Sequence, residues 1–203
     1  MKIICVGRNY AEHIAELSNE RPDEPVIFIK PDSAILLKGF PFVIPEFTKE
    51  VHYEVEVVVK INKVGKHISP KFAHKYYDQV SLGLDFTARD LQQKLKEKGL
   101  PWEKAKAFDN SAYVGDFLPK ETLGDLDALP FALYKNEEVV QQGNTTQMLW
   151  KIDELIAEVS KYFTLKTGDL IFTGTPAGVG KIEEGDTLVG VIGTQEIFKV
   201  VVK

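Results

Sequence analysis

The chain is short of cysteine, of arginine and of long apolar runs, and each shortage excludes something. A single cysteine, Cys5, rules out an internal disulfide and fits a reducing compartment. It lies in the strand-like run Lys2-Ile3-Ile4-Cys5-Val6, which reads as a buried, inert thiol rather than a nucleophile. No stretch approaches the roughly 18 apolar residues of a bilayer span. Nor does an apolar run with a small-residue cleavage site follow the start, where Arg8-Asn9-Tyr10 intervenes. Neither a membrane partner nor a secretory leader is expected, and a cytoplasmic location is predicted. Net charge of -5 argues against nucleic acid as partner, because phosphate recognition requires a basic face. Repeats, low-complexity tracts and long linkers are also missing.

What is present describes an ordinary globular protein: 203 residues, 44% hydrophobic and 27% charged. One domain over 1–203 is expected. Short strand-like runs dominate, at 2–6, 26–30, 35–38, 41–44, 53–62, 80–86, 130–135, 138–142, 169–173, 186–192 and 196–202. Lys135-Asn136-Glu137 marks a hairpin turn. Helices are predicted at 9–17, from Pro70 after an N-capping Ser69, from Thr87 to Gly99, and at 146–163. In the last, Met148, Ile152, Leu155, Ile156, Val159 and Phe163 recur at helical spacing as one core-facing stripe. The fold class is therefore α+β and mostly β, a sandwich or roll with a few short helices.

Two glutamates on one strand carry the strongest chemical signal. Along Val51-His52-Tyr53-Glu54-Val55-Glu56-Val57-Val58-Val59, side chains alternate, so Glu54 and Glu56 share a face opposite Tyr53, Val55, Val57 and Val59. A solvated strand face gives the same pattern. Two carboxylates side by side also repel unless a cation or a proton lies between them. Asp85 ends a second apolar run, and three converging carboxylates suit a hard divalent ion, Mg²⁺ or Mn²⁺.

Four further segments hold candidate residues. In Gly7-Arg8-Asn9-Tyr10-Ala11-Glu12-His13-Ile14-Ala15-Glu16, His13 and Glu16 are three apart on a helix, where a carboxylate orients an imidazole as a general base. A solvated surface pair is the plain alternative. In Leu84-Asp85-Phe86-Thr87-Ala88-Arg89-Asp90-Leu91-Gln92, Arg89 and Gln92 share a helix face, and Arg89 can hold a carboxylate through paired hydrogen bonds; Asp90 is assigned to capping. Of 25 basic residues only Arg8, Arg21 and Arg89 are arginine, and two of them fall in these segments. In Pro101-Trp102-Glu103-Lys104-Ala105-Lys106-Ala107-Phe108, Lys106 is expected to be partly buried, where its ammonium would polarise a substrate oxygen, and Lys104 to lie on the surface. Phe172-Thr173-Gly174-Thr175-Pro176-Ala177-Gly178-Val179-Gly180 is a tight loop whose amides can receive a carboxylate. It is neither a phosphate loop nor a dinucleotide fingerprint, since Ile182 stands where Ser or Thr is needed and the glycine spacing is wrong.

Taken in order, GRNYAEH, HYEVEV, LDFTARDLQ, GLPWEKAKAFD and TGTPAGVG resemble the fumarylacetoacetate hydrolase family, in its short branch related to acylpyruvate hydrolases and oxaloacetate decarboxylases. The resemblance implies the fold of that family's C-terminal domain and usually a homodimer. It implies Glu54, Glu56 and Asp85 as ligands for Mg²⁺ or Mn²⁺, and Lys106 beside the bound substrate. Arg8, Arg89, Gln92 and Thr175 are implied in substrate binding. His13 and Glu16 are implied as the catalytic pair on a lid segment covering about 8–25. The implied substrate is a small 2-oxo acid. Acylpyruvate hydrolysis through a metal-held enolate ranks first, then oxaloacetate decarboxylation or keto–enol tautomerisation, then isomerisation of a hydroxyheptadienedioate. A binding module with a structural cation is the non-enzymatic rival. One departure stands out: the family leads one to expect a proline near Tyr113, in the wall of the pocket.

Overall fold

Fourteen strands and five short helices make up the computed structural model, which describes residues 1–203. The strands fall into three sheets. The largest has the order β2 (Val26–Lys30), β1 (Ile3–Gly7), β11 (Leu170–Phe172), β4 (Val55–Ile61), β5 (Tyr77–Asp85) and β7 (Ala112–Val114), with β8 (Leu118–Pro119) also paired to β5. β1 and β11 are parallel and the other pairs are antiparallel. Its central strands are covered on both faces, which explains why they read as unbroken apolar runs. Alternation then divides them. Ile4, Val57, Val59 and Ile171 enter the main core, whereas Ile3, Cys5, Val58, Leu170 and Phe172 form a smaller one on the opposite face. Each such side chain taken from water contributes roughly 1.5–3 kcal/mol.

The second sheet is antiparallel, ordered β10 (Glu138–Asn144), β9 (Pro130–Lys135), β13 (Thr187–Ile192) and β14 (Gln195–Val201). Its strands alternate in burial, and Leu133, Leu188, Phe198 and Val200 join the main core. At the β9–β10 turn Asn136 and Glu137 both adopt positive φ (52° and 70°), the mirror-image turn that matches strand twist. A third, small sheet joins β12 (Gly180–Lys181), β3 (Val51–Tyr53) and β6 (Thr87–Ala88). It stands beside the end of the large sheet where the candidate residues collect.

The helices are shorter than the sequence predicts, for local reasons. α1 spans Ala11–Glu16, because Tyr10 is extended and bridges to Met148. α2 (Pro70–Ala73) is a single turn. α3 begins at Arg89 and ends at Glu97, since Thr87 and Ala88 pair with β3 instead of opening the helix. α4 covers Glu103–Lys106. α5 runs Ile152–Tyr162, not from 146. Asn9 takes the backbone of the missing turn: its carbonyl accepts from Leu149 N, its Oδ1 accepts from Trp150 N, and its Nδ2 donates to Trp150 O. Those groups are then unavailable to a helix.

The expected strands at 35–38 and 41–44 are not strands. Only single bridges form, Ile35 to Ala112 and Phe42 to Val202, because Pro41 and Pro45 remove ladder donors and Gly39 turns the chain at φ 84°. No helix is long and apolar enough to cross a membrane.

Candidate metal centre and catalytic pocket

Glu54 occupies the break between β3 and β4, and the amide of Asp85 donates to its carbonyl at 2.9 Å. Glu56 lies two residues on, opposite Gly83 of β5. This register brings three carboxylates to one place, with one oxygen from each within 4.8 Å of the others. All three residues are buried. The solvated strand face that the alternation also allowed is therefore excluded. A Cβ at Gly83 would stand 2.6 Å from the Tyr113 carbonyl, so the strand can close on its neighbours only with glycine there.

Cations surround this cluster. Lys106 Nζ, fully buried at the end of α4, donates to Glu54 Oε2 at 2.7 Å, Asp85 Oδ2 at 2.7 Å and Thr87 Oγ1 at 2.6 Å. Lys30 closes β2 from the other side, 2.7 Å from Asp85 Oδ1, and donates to Ser111 O and Oγ at 3.0 and 3.1 Å and to the Lys106 carbonyl. Arg89 pairs with Glu54 and donates to Gln92 Oε1 at 2.6 Å. Glu56 has no cation: its Oε2 accepts only the Gly174 amide, at 2.7 Å. Gly174 holds that amide in place at φ 101°, with no room for a Cβ against Asn9.

The two glutamates titrate in opposite directions. Burial would raise Glu54, but the charges of Lys106 and Arg89 outweigh it and hold the carboxyl far below its usual range. Burial, then the charges of Asp85 and Glu54, push Glu56 well up. For Lys106, burial opposes the charge, yet Asp85 and Glu54 prevail and raise its affinity for the proton.

A single cavity joins the carboxylates to most of the other predicted residues. Lys106, Arg89 and Gln92 line it, and Arg8, His13 and Thr175 complete the wall. Glu16 stands behind His13, with its Oε2 3.1 Å from His13 Nδ1 and its Oε1 accepting the Gly178 amide at 3.0 Å. All ten residues named from the sequence thus gather at one end of the large sheet. The donor set is three hard oxygens, and Asp85 Oδ1 is buried with Lys30 nearby as an ion pair but no aligned hydrogen bond. These residues fit a divalent ion of the Mg²⁺ or Mn²⁺ type.

Sequence reasoning missed several positions. Lys30 is a lone charge at the end of an apolar strand, a cue the pattern did contain. Lys96 and Asn19 line the same cavity. Gln141, buried in β10, accepts from Val55 N at 2.9 Å and donates to Thr175 Oγ1 and Pro176 O, both at 2.9 Å. Nothing in Val139-Val140-Gln141-Gln142 marks it. Lys106 is more deeply buried than the sequence predicts, with 3% of its surface exposed. Tyr113 also differs from expectation: it packs edge-on to Phe198 in the core and does not line the pocket, so the departure from proline leaves the pocket wall untouched.

Residues 2–201 match the family described as fumarylacetoacetate (FAA) hydrolase C-terminal. The chain belongs to the fumarylacetoacetate hydrolase family. It is similar to the mitochondrial oxaloacetate tautomerase of Bos taurus, 44% identical over 92% of this chain and 84% of the relative. It is also similar to an oxaloacetate tautomerase of Escherichia coli, 46% identical over 92% of this chain and 86% of the other. Among solved structures, a Pseudomonas aeruginosa fumarylpyruvate hydrolase in complex with Mn²⁺ and pyruvate superposes with a TM-score of 0.93 at 37% identity, over 100% of this chain and 89% of that one. These family members do not single out acylpyruvate hydrolysis, which the sequence placed first.

Proposed function

We propose that this chain is a divalent-metal-dependent enzyme that interconverts the keto and enol forms of oxaloacetate, with Glu54, Glu56 and Asp85 holding the ion. The observation that carries the proposal is the charge of the cluster. Three carboxylates meet three cations, Lys30, Lys106 and Arg89, so a bound divalent ion leaves an excess of positive charge for an anionic 2-oxo acid. The tautomerase relatives support oxaloacetate over an acylpyruvate.

When bound, the ion supplies Lewis acidity to the 2-oxo acid, lowering the cost of negative charge on its carbonyl oxygen. The chain's own residues do the rest. Arg89, braced by Gln92, orients the C1 carboxylate. Glu16 takes the Nδ1 proton of His13 in a hydrogen bond, which leaves Nε2 as the basic atom. His13 removes a proton from C3, the C–H electron pair forms the C2=C3 bond as the C2=O π pair moves to oxygen, and a proton returns to that oxygen to give the enol; no C–C bond breaks. Lys106 stabilises the charge that builds up on that oxygen. α1, carrying His13 and Glu16, acts as the lid.

Hydrolysis of an acylpyruvate is the second reading, supported by the likeness to the fumarylpyruvate hydrolase structure with pyruvate. There His13 would instead activate water to attack the distal carbonyl, and the C–C bond would break to give a carboxylic acid and pyruvate enolate, in place of the oxaloacetate enolate of the first reading. The test is turnover of oxaloacetate and acetylpyruvate side by side with Mg²⁺, with Mn²⁺ and with EDTA, following enol, pyruvate and acetate. Metal-dependent keto–enol exchange without acetate supports the tautomerase. Faster loss of acetylpyruvate than of oxaloacetate would replace it with the hydrolase, and pyruvate from oxaloacetate would make the enzyme a decarboxylase.

A further inference from the structure

Two cations in the pocket wall have no carboxylate partner. Arg8 forms none of the ion pairs in the protein, and Lys96 donates only to the neutral Asn19 Oδ1, at 2.6 Å. Both line the cavity that contains the three carboxylates, together with Asn19 itself. In a protein of net charge -5 carrying 30 acidic residues, two half-buried cations that face one cavity and form no ion pair stand out. Their charges act on one another. Burial, then the charges of Arg8 and Arg89, lower the proton affinity of Lys96. An anion between them would remove that repulsion.

The backbone aims Arg8 into the cavity at a cost. Its φ is 58°, the left-handed region that a long side chain rarely adopts. Lys96 lies in the last turn of α3, where a cation suits the helix dipole. Its ammonium nevertheless reaches across to Asn19, just beyond α1, instead of the helix's own terminal carbonyls. Arg89, by contrast, has a carboxylate partner in Glu54 and is assigned to the C1 carboxylate of the substrate. The inventory of charge thus separates into a balanced cluster around the carboxylates and an unbalanced pair, Arg8 and Lys96.

We propose that Arg8 and Lys96 form a subsite for the second carboxylate of a dicarboxylic 2-oxo acid, so that Lys96 sets the preference for a dianion over a substrate with a neutral tail. The inference rests on the proposed chemistry of oxaloacetate and assigns the residues that read its second carboxylate.

The experiment compares malate with lactate, two unreactive 2-hydroxy acids that differ by the distal carboxylate. Both are titrated calorimetrically into wild-type protein, Lys96→Gln and Arg8→Gln with Mg²⁺ present. Glutamine at 96 removes the charge and keeps a polar donor, one bond shorter, on the side of Asn19. A charge-assisted hydrogen bond of this kind makes wild type prefer malate by about tenfold or more, and K96Q should shrink that preference to about threefold or less while lactate binding stays unchanged. With oxaloacetate as substrate, K96Q should raise KM and leave kcat within about twofold, as for a group that binds ground and transition states equally. Equal losses for malate and lactate in K96Q would assign Lys96 a merely structural role and overturn the subsite. So would a wild type that does not prefer malate, or that binds neither acid. Preference for malate that depends on Lys96, in a protein that turns over no oxaloacetate, would instead discard the proposed reaction and keep the subsite.

Discussion

Lys30 Nζ lies 2.7 Å from Asp85 Oδ1, and both side chains are buried. The same ammonium donates to the carbonyls of Ser111 and Lys106, so it joins β2 to α4 and to the strand that ends in Asp85. Breaking a buried pair by removing one partner leaves a charge with no compensation, at a cost of about 3–5 kcal/mol. Lys30→Met, close in volume, is therefore expected to lose about that much stability in urea unfolding with EDTA present. A loss below about 1 kcal/mol would show that Asp85 finds its compensation elsewhere.

Glu56 should behave in the opposite way. It faces Asp85 and Glu54 with only the Gly174 amide to satisfy it, and Gln can accept the same bond. Glu56→Gln is expected to leave metal-free stability unchanged or slightly raised, because a like-charge contact disappears. The cost should appear with metal. An ion at a hundred times its Kd stabilises wild type by about 2.7 kcal/mol, a gain the variant should lack. Thermal melts with and without Mg²⁺ check both halves. A variant that still gains stability from Mg²⁺ would remove Glu56 from the proposed ligands.

The proposed base is separable from the proposed metal site. His13→Ala should reduce turnover by about 10²-fold or more. Glu16→Gln should have a smaller effect, since it keeps an acceptor for the Gly178 amide while weakening its hold on the imidazole. Neither should change the rise in Tm with Mg²⁺. Full activity in both variants would move the proton transfer to another group.

Much of this site is legible in the sequence because strand alternation is a local property. Glu54 and Glu56 share a face in any strand, and Asp85 follows a run apolar enough to be central. Most of the longer strands were legible for the same reason, as was the Asn136-Glu137 turn, whereas the third sheet was not, because Thr87 and Ala88 read as a helix start. What stayed hidden depends on distant partners. Helix spacing continues back to Met148, but Asn9 and Tyr10, from the other end of the chain, hold residues 148–150 away from the helix. Lys30 and Lys96 read as ordinary lysines until the fold brings one to Asp85 and the other to the cavity. Gln141 has no local cue, since its role comes from three backbone and side-chain groups in other elements.

That last residue should therefore act as a positioning residue. Gln141→Leu removes the acceptor for Val55 N and both donors to the 175–176 loop, leaving buried polar groups unpaired at about 1–3 kcal/mol each. A lower Tm is expected, together with a fall in kcat/KM larger than the stability loss would cause at the assay temperature. Gln141→Glu keeps the acceptor for Val55 but loses the donors, so it should restore strand order and not the loop. Equal activity of Gln141→Leu and wild type below their melting temperatures would confine the residue to a structural part.

Acid stability should depend on Asp169, outside the pocket. Burial acts to raise its carboxyl, but hydrogen bonds from Lys2, through side chain and backbone, and from the Lys166 amide prevail and lower it. A carboxylate with a depressed value in the folded state binds its proton more weakly there than in the unfolded chain. Its contribution is therefore complete above the unfolded value of about 3.9 and is lost as pH falls through the lower folded value. Asp169 caps the turn that feeds β11 beside β1, and β11 leads directly into Thr173, Gly174 and Thr175. Asp169→Asn should lower Tm at neutral pH and flatten its fall as pH drops below about 4, so that the variant and wild-type curves converge in acid. Parallel curves across that range would mean that the Asp169 carboxylate is no better held in the folded protein than in the unfolded one.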